Sequence, residues 1–201
     1  MLRRLVFGRK VAGVAEVLNV VFGSPDWRAR LLSNFALAPF ELWGERFASV
    51  EGLWQGLKFP EGSAEQKRVF ALSGYEAKRA GRRAPAGPGG AFTWRSQTYR
   101  VGSLEHWDLM RQALRAKFEQ NVEARRALMA TVGLRLVHVL PRDSRTIPGA
   151  VFARMLEEIR AELGLGGMRD TPSGRSGRAV ARLGAERVSA DGERWWRLIP
   201  C

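Results

Sequence analysis

Between Val50 and Lys58, hydrophobic and polar positions recur with the period of a helix. Val50, Leu53, Trp54 and Leu57 fall at i, i+3, i+4 and i+7 and form one apolar stripe. Glu51, Gln55 and Lys58 occupy i, i+4 and i+7 on the adjoining face. Gly52 and Gly56 leave a third face almost bare. Each interior glycine costs about 1 kcal/mol relative to alanine, so two of them four apart predict close approach of another backbone or of a ligand. One short helix thus offers a buried stripe, a polar row with one carboxylate and a bare face, a combination that points to a site. The competing reading has Glu51 and Lys58 merely solvated and Trp54 as plain core.

The rest of the pattern predicts the surroundings. Val17 to Phe22 reads as a strand, ended by the turn Gly23-Ser24-Pro25-Asp26. Ala38-Pro39 and Trp43-Gly44 bracket a short extended segment. Ser63 and Gln66 make a capping box for a helix to about Ser73, and a second helix, Tyr75 to Ala80, ends at Gly81 as a left-handed cap. Residues 82–90 form a Pro/Gly-rich loop. Ala91 to Val101 suggests a hairpin about Arg95-Ser96-Gln97, either a lid over a pocket or decoration. Ser103 caps a long helix whose Trp107, Met110, Leu114 and Phe118 face the core. Asn121 caps the next, to about Thr131, with Gly133 ending it. Leu134 to Leu140 reads as a buried strand with His138 a core histidine, and Pro148 opens a last helix, Gly149 to Leu163, with Val151, Met155, Leu156, Ile159 and Leu163 inward.

Composition divides the chain. Residues 1–16 are a basic arm, 17–163 the domain, and 164–201 a Gly/Arg-rich linker and tail, in which Trp195-Trp196 would pack on the body or stack bases. No run approaches the roughly 18 apolar residues of a membrane span. The first residues lack an uninterrupted secretory core, so a cytoplasmic protein without membrane association is expected. Cys201 is the one cysteine, which excludes an intrachain disulfide and a cysteine-based metal site, and His106 and His138 stand far apart in sequence. No metal and no cofactor are expected. Lys and Arg number 33 against 20 acids, a net charge of +13 that points to a nucleotide or nucleic-acid partner. Only five of those bases are lysines. A GC-rich genome would explain that preference for arginine, but not the excess over acids.

Several segments together resemble the NADAR superfamily, the YbiA-like N-glycosidases. They are Leu32-Ser33-Asn34-Phe35, Ala38-Pro39-Phe40, Ser49-Val50-Glu51 with Trp54-Gln55 and Lys58-Phe59, and Gly81-Arg82. Further matches are Trp107, Met110, Leu114 through Asn121, Leu128, Thr131, Leu136-Val137, Asp143 and the helix from Met155 to Leu163. The resemblance implies a mainly helical α+β single domain with a small β component that cleaves N-glycosidic bonds to ribose. The implied substrates are ADP-ribose on guanine in DNA, which the basic excess favours, or phosphoribosylated riboflavin-pathway intermediates. Glu51 and Asp143 would be the catalytic carboxylates. Asn34 and Gln55 would meet ribose hydroxyls or base edges, Lys58 and Arg82 phosphate oxygens, and Trp107 (or Trp54) the base, unless those tryptophans only pack. Two departures mark a divergent branch: Gly52 stands where the family often has histidine, and 142–149 is shorter and lacks the family's tryptophan. A non-catalytic ADP-ribose or nucleic-acid reader and a purely structural partner protein are the alternatives. Whether a toxin partner exists is left open.

Overall fold

A computed structural model describes residues 16–84, 90–144 and 146–167, which fall within one compact unit, Met1–Asp170. The basic arm apart from Glu16, the centre of the Pro/Gly-rich loop and the tail from residue 168, Trp195-Trp196 included, lie outside the described residues. Thirteen elements are described, seven of them helices, so the fold is α+β and mainly helical.

Strand β1 (Val17–Asn19) pairs in parallel with β6 (Arg135–Val137), Leu18 opposite Leu136. Both are shorter than the pattern predicted. In β6 only Leu136 is buried, because the pair presents one face to the core. Helix α1 (Trp27–Leu32) follows the 23–26 turn and was not foreseen. Asp26 caps it, accepting the Arg28 N–H at 2.8 Å. The extended segment before Trp43-Gly44 is half of a hairpin, β2 (Phe40–Leu42) with β3 (Glu45–Phe47). Its two-residue turn has φ of 56° and 79°, the conformation that a right-twisted hairpin favours, and Trp43 in a typical glycine or asparagine position hid it.

Helix α2 (Val50–Gly56) is the predicted one, capped by Ser49. Val50 and Leu53 are fully buried and Leu57 is 1% exposed. The bare face meets α3 (Ala64–Phe70). A Cβ on Gly52 would lie 2.3 Å from the Leu72 carbonyl oxygen, and one on Gly56 2.4 Å from the Phe70 ring. The glycines therefore admit a neighbouring helix, not a ligand. Helix α3 stops short of Ser73. Ser63 accepts from the Gln66 N–H as expected, while the Gln66 side chain reaches back to the Gly62 N–H rather than to Ser63. Helix α4 (Gly74–Gly81) includes Gly81 in its last turn, so Gly81 is not a left-handed cap. Its missing side chain makes room for Gln55, whose Oε1 would sit 1.7 Å from a Cβ there.

The hairpin β4 (Ala91–Trp94) and β5 (Gln97–Arg100) is neither lid nor decoration, since Phe92 and Trp94 are buried in the core. Helix α5 (Leu104–Gln120) runs through the centre and packs on α2, β2, α7 and α6 (Val122–Met129). Helix α7 (Gly149–Gly167) completes the core through Phe152, Leu156 and Ile159, and extends beyond Leu163.

Candidate active site

A cavity of about 480 Å³ opens beside α2. Its walls are the loop after α1 (Ser33, Asn34, Phe35), Glu51, Trp54 and Gln55 of α2, Tyr75 and Lys78 of α4, the turn after β1, and, after β6, His138, Leu140, Arg142, Ser144, Thr146 and Ile147. Polar groups converge on a largely apolar hollow, the usual make-up of a small-molecule site.

Glu51 is the buried carboxylate of that wall, 7% exposed. The helical row acts as read: Gln55 Nε2 donates to Glu51 Oε1 at 2.8 Å, and Lys58 Nζ donates to Gln55 Oε1 at 2.6 Å. Burial raises the Glu51 pKa above the ordinary carboxylate value, opposed by the Gln55 hydrogen bond and the charges of Lys58 and Lys78. Burial likewise lowers Lys58, against the pull of Glu51. Lys58 sits 4.9 Å from the Trp54 ring centre, just behind the cavity wall. Trp54 lines the cavity and is backed by His106, ring centres 4.7 Å apart. His106 accepts the Gly102 N–H through Nδ1, and burial lowers its pKa to about 4, so it supports Trp54 as a neutral ring.

Four sequence-predicted residues, Asn34, Glu51, Trp54 and Gln55, meet on the wall. The others do not. Asp143 is exposed and does not line the cavity. Its Oδ1 accepts the Ser144 and Gly149 N–H groups, both at 2.8 Å, and so secures the turn into α7. Trp107 is half-buried and donates from Nε1 to the Thr146 carbonyl at 2.8 Å, pinning the far wall instead of presenting a ring. Arg82 is exposed beyond α4, outside the lining. His138 is not plain core: Nδ1 lies 2.6 Å from the Val20 carbonyl and the ring lines the cavity.

Several wall residues escaped the sequence reading. Lys78 lies on the cavity face of α4, 5.4 Å from the Phe35 ring centre. Phe22, Phe35 and Tyr75 form an aromatic group with centroid separations of 5.3–6.0 Å. Tyr75 is 62% exposed and Phe22 37%, so the group keeps open ring surface beside the cavity. The i, i+3 spacing of Tyr75 and Lys78 was the available signal. Arg142, Ser144 and Thr146 complete the opposite wall.

Lys117 holds the Asn34 wall from behind. It is fully buried, and its Nζ donates to the Ser33 carbonyl at 2.9 Å and more weakly to that of Leu32 at 3.4 Å. The next two carbonyls are also fixed: Asn34 accepts the Glu51 N–H and Phe35 the Gly74 N–H. Burial lowers the Lys117 pKa from 10.5 to about 7. The unfolded chain therefore binds the extra proton between those values, and stability should rise with pH across that window and stay level below it. Between pH 7 and 9 the gain should be about 2 kcal/mol, read as a shift in the urea midpoint. Lys58 acts in the same sense, so the diagnostic quantity is the difference from Lys117→Met. An equal rise in that variant would place the effect elsewhere.

Fold and cavity together define a class: a small α+β domain built around a desolvated carboxylate, flanked by two lysines and rimmed by aromatic rings. The family model described as Bacteriophage protein GP30.3 matches residues 26–154. The chain belongs to this family, a YbiA-like member of the NADAR superfamily. It is 34% identical over 142 residues to an uncharacterized 17.1 kDa protein of Enterobacteria phage T4, covering 68% of this chain and 93% of that protein. It is 32% identical over 133 residues to the N-glycosidase YbiA of Escherichia coli K12, covering 64% of this chain and 72% of YbiA. The NMR structure of E. coli YbiA shares the fold with a TM-score of 0.58 at 23% identity, over 80% of this chain and 92% of that one. Among the described residues no cluster of His, Cys, Asp and Glu is placed to hold a metal, and no helix is long and apolar enough to cross a membrane.

Proposed function

We propose that this protein hydrolyses the bond between a ribosyl carbon and a base nitrogen, with ADP-ribosylated guanine in DNA as its substrate. The observation that carries the reading is Glu51, buried at the wall of a ligand-sized cavity. Membership of a family that includes N-glycosidases supports it.

Breaking the carbon–nitrogen bond sends its electron pair to the base and leaves an oxocarbenium-like ribose. A carboxylate beside the anomeric carbon stabilises that charge and takes a proton from the attacking water, whose oxygen ends on the ribose. Glu51 fills this role. Its raised pKa is suited to a base that must accept a proton near neutral pH. Asp143 is engaged at the turn into α7, so this mechanism uses one carboxylate. Lys78, a cation on the cavity wall beside the Phe35 ring, is the group to protonate the departing base. The Phe22, Phe35 and Tyr75 rings offer a surface for that base, and Arg142 a bidentate partner for the diphosphate.

The excess of basic residues favours a DNA carrier over a small metabolite. The test is a product assay on DNA bearing ADP-ribosylated guanine beside a phosphoribosylamino-pyrimidine. Release of ADP-ribose from DNA, with an affinity that falls steeply with salt, is expected. Turnover of only the small compound would move the activity to metabolite clearance. Turnover of neither would remove the catalytic assignment.

A further inference from the structure

We infer that Asn34 reads the 2′-hydroxyl of the ribose, so that the protein cleaves ribosyl–nitrogen bonds and spares 2′-deoxyribosyl ones. This rests on the N-glycosidase reading and adds to it the sugar class that the site accepts.

Asn34 lines the cavity, and its carboxamide oxygen is buried with no hydrogen-bond partner among the described residues. A buried polar atom left unpaired is costly, so a native chain that keeps one in a cavity wall has a use for it. The terminal torsion of asparagine is soft. Either end of the amide can therefore turn to the cavity, and a hydroxyl, both donor and acceptor, pairs with either.

The position identifies which hydroxyl. The Asn34 carbonyl accepts the Glu51 N–H at 2.9 Å, which makes Asn34 the immediate neighbour of the proposed base. Glu51 must stand at the anomeric carbon, and the hydroxyl-bearing carbon bonded to that atom is C2′. The loop is fixed on both sides of this contact, by Lys117 on the Ser33 carbonyl and by Gly74 on the Phe35 carbonyl. Asn34 is thus presented by a backbone held at successive carbonyls, a stiff mounting for a group that must discriminate.

Discrimination is chemically necessary if DNA carries the substrate. Every nucleotide of the carrier contains a 2′-deoxyribosyl–nitrogen bond. Such bonds are the more labile kind, because they lack the electron-withdrawing hydroxyl that opposes oxocarbenium formation. Selection must then come from contact. A site built around a substrate hydroxyl rejects the analogue lacking it by up to about 10⁴–10⁵-fold, since its own polar group is left unpaired.

The experiment compares kcat/KM for matched substrates that carry ribose or 2′-deoxyribose at the scissile bond, in the full-length protein and in Asn34→Ala. The parent should prefer the ribosyl substrate by at least about 10³-fold. Asn34→Ala should shrink that ratio at least tenfold, through loss on the ribosyl substrate alone. Asn34→Ser, which keeps a hydroxyl at the wall, should retain part of it. Equal handling of both sugars by the parent, or an equal loss on both in Asn34→Ala, would overturn the inference and leave the glycosidase reading standing. If neither substrate turns over, the reading itself fails, and calorimetry decides the sugar preference independently. ADP-ribose should then bind at least tenfold tighter than its analogue lacking the 2′-hydroxyl on the terminal ribose, and equal affinities would overturn it.

Discussion

Glu51→Gln should lower kcat by about 10³-fold and leave the protein at least as stable as its parent. The substitution is nearly isosteric. The Glu51 side chain takes one hydrogen bond, from Gln55 Nε2, and an amide oxygen at the same place still accepts it. What disappears is the charge. A carboxylate whose folded pKa is raised by burial contributes stability that is fully present below its unfolded value of 4.5 and is lost as pH rises through the folded pKa. Glutamine has no such loss, so at neutral pH the urea midpoint should hold or increase. For the parent, kcat/KM should rise with pH as Glu51 ionises, with an apparent pKa above the ordinary carboxylate range. A stable protein with depressed turnover separates a chemical role from a structural one. A drop of less than tenfold would take Glu51 out of the chemistry and leave a binding module.

How much of this was legible in the sequence depended on how local the signal was. The α2 row of Glu51, Gln55 and Lys58 was readable because one helix carries all three residues, and helical geometry fixes their order without help from the rest of the chain. The two glycines were readable as close approach, although only the fold shows that a helix, not a ligand, approaches. Gly81 misled because a glycine at the end of a helical run is the commonest local cap signal. Its real cause, the Gln55 side chain, is 26 residues away in sequence. The aromatic group was invisible for the same reason. Phe22, Phe35 and Tyr75 come from the turn after β1, the loop after α1 and the start of α4, and no periodicity links them. Asp143 shows the opposite case. Family pattern suggested chemistry, but a carboxylate six residues before a helix's first N–H also makes a capping group, and here that use prevails.

Gly52→Ala should destabilise the protein by about 3 kcal/mol, the upper end of the usual overpacking cost and a large share of the roughly 5–15 kcal/mol that holds a domain together. Helix propensity alone predicts the reverse, a gain of about 1 kcal/mol for replacing a mid-helix glycine, so the sign of the effect distinguishes the two accounts. The added Cβ would meet three backbone carbonyls at the end of α3: Leu72 at 2.3 Å, Val69 at 3.1 Å and Phe70 at 3.2 Å. Backbone cannot swing aside as a side chain can. Two of those carbonyls are also tied to the segment entering α2, Leu72 by the Ser49 hydroxyl and Phe70 by the Ala48 N–H, both at 2.9 Å. Relieving the clash would stretch both bonds and draw Ser49, which caps α2, away from Gly52. The close fit also gives a reason for glycine where the family often carries histidine, since in this chain α3 takes the space a side chain would need. The damage would reach the cavity, because the first turn of α2 holds Glu51. Urea denaturation monitored by tryptophan fluorescence is the direct measurement. A loss below 1 kcal/mol would mean that α2 and α3 slide apart easily, and that the glycine face is not what sets the position of the site.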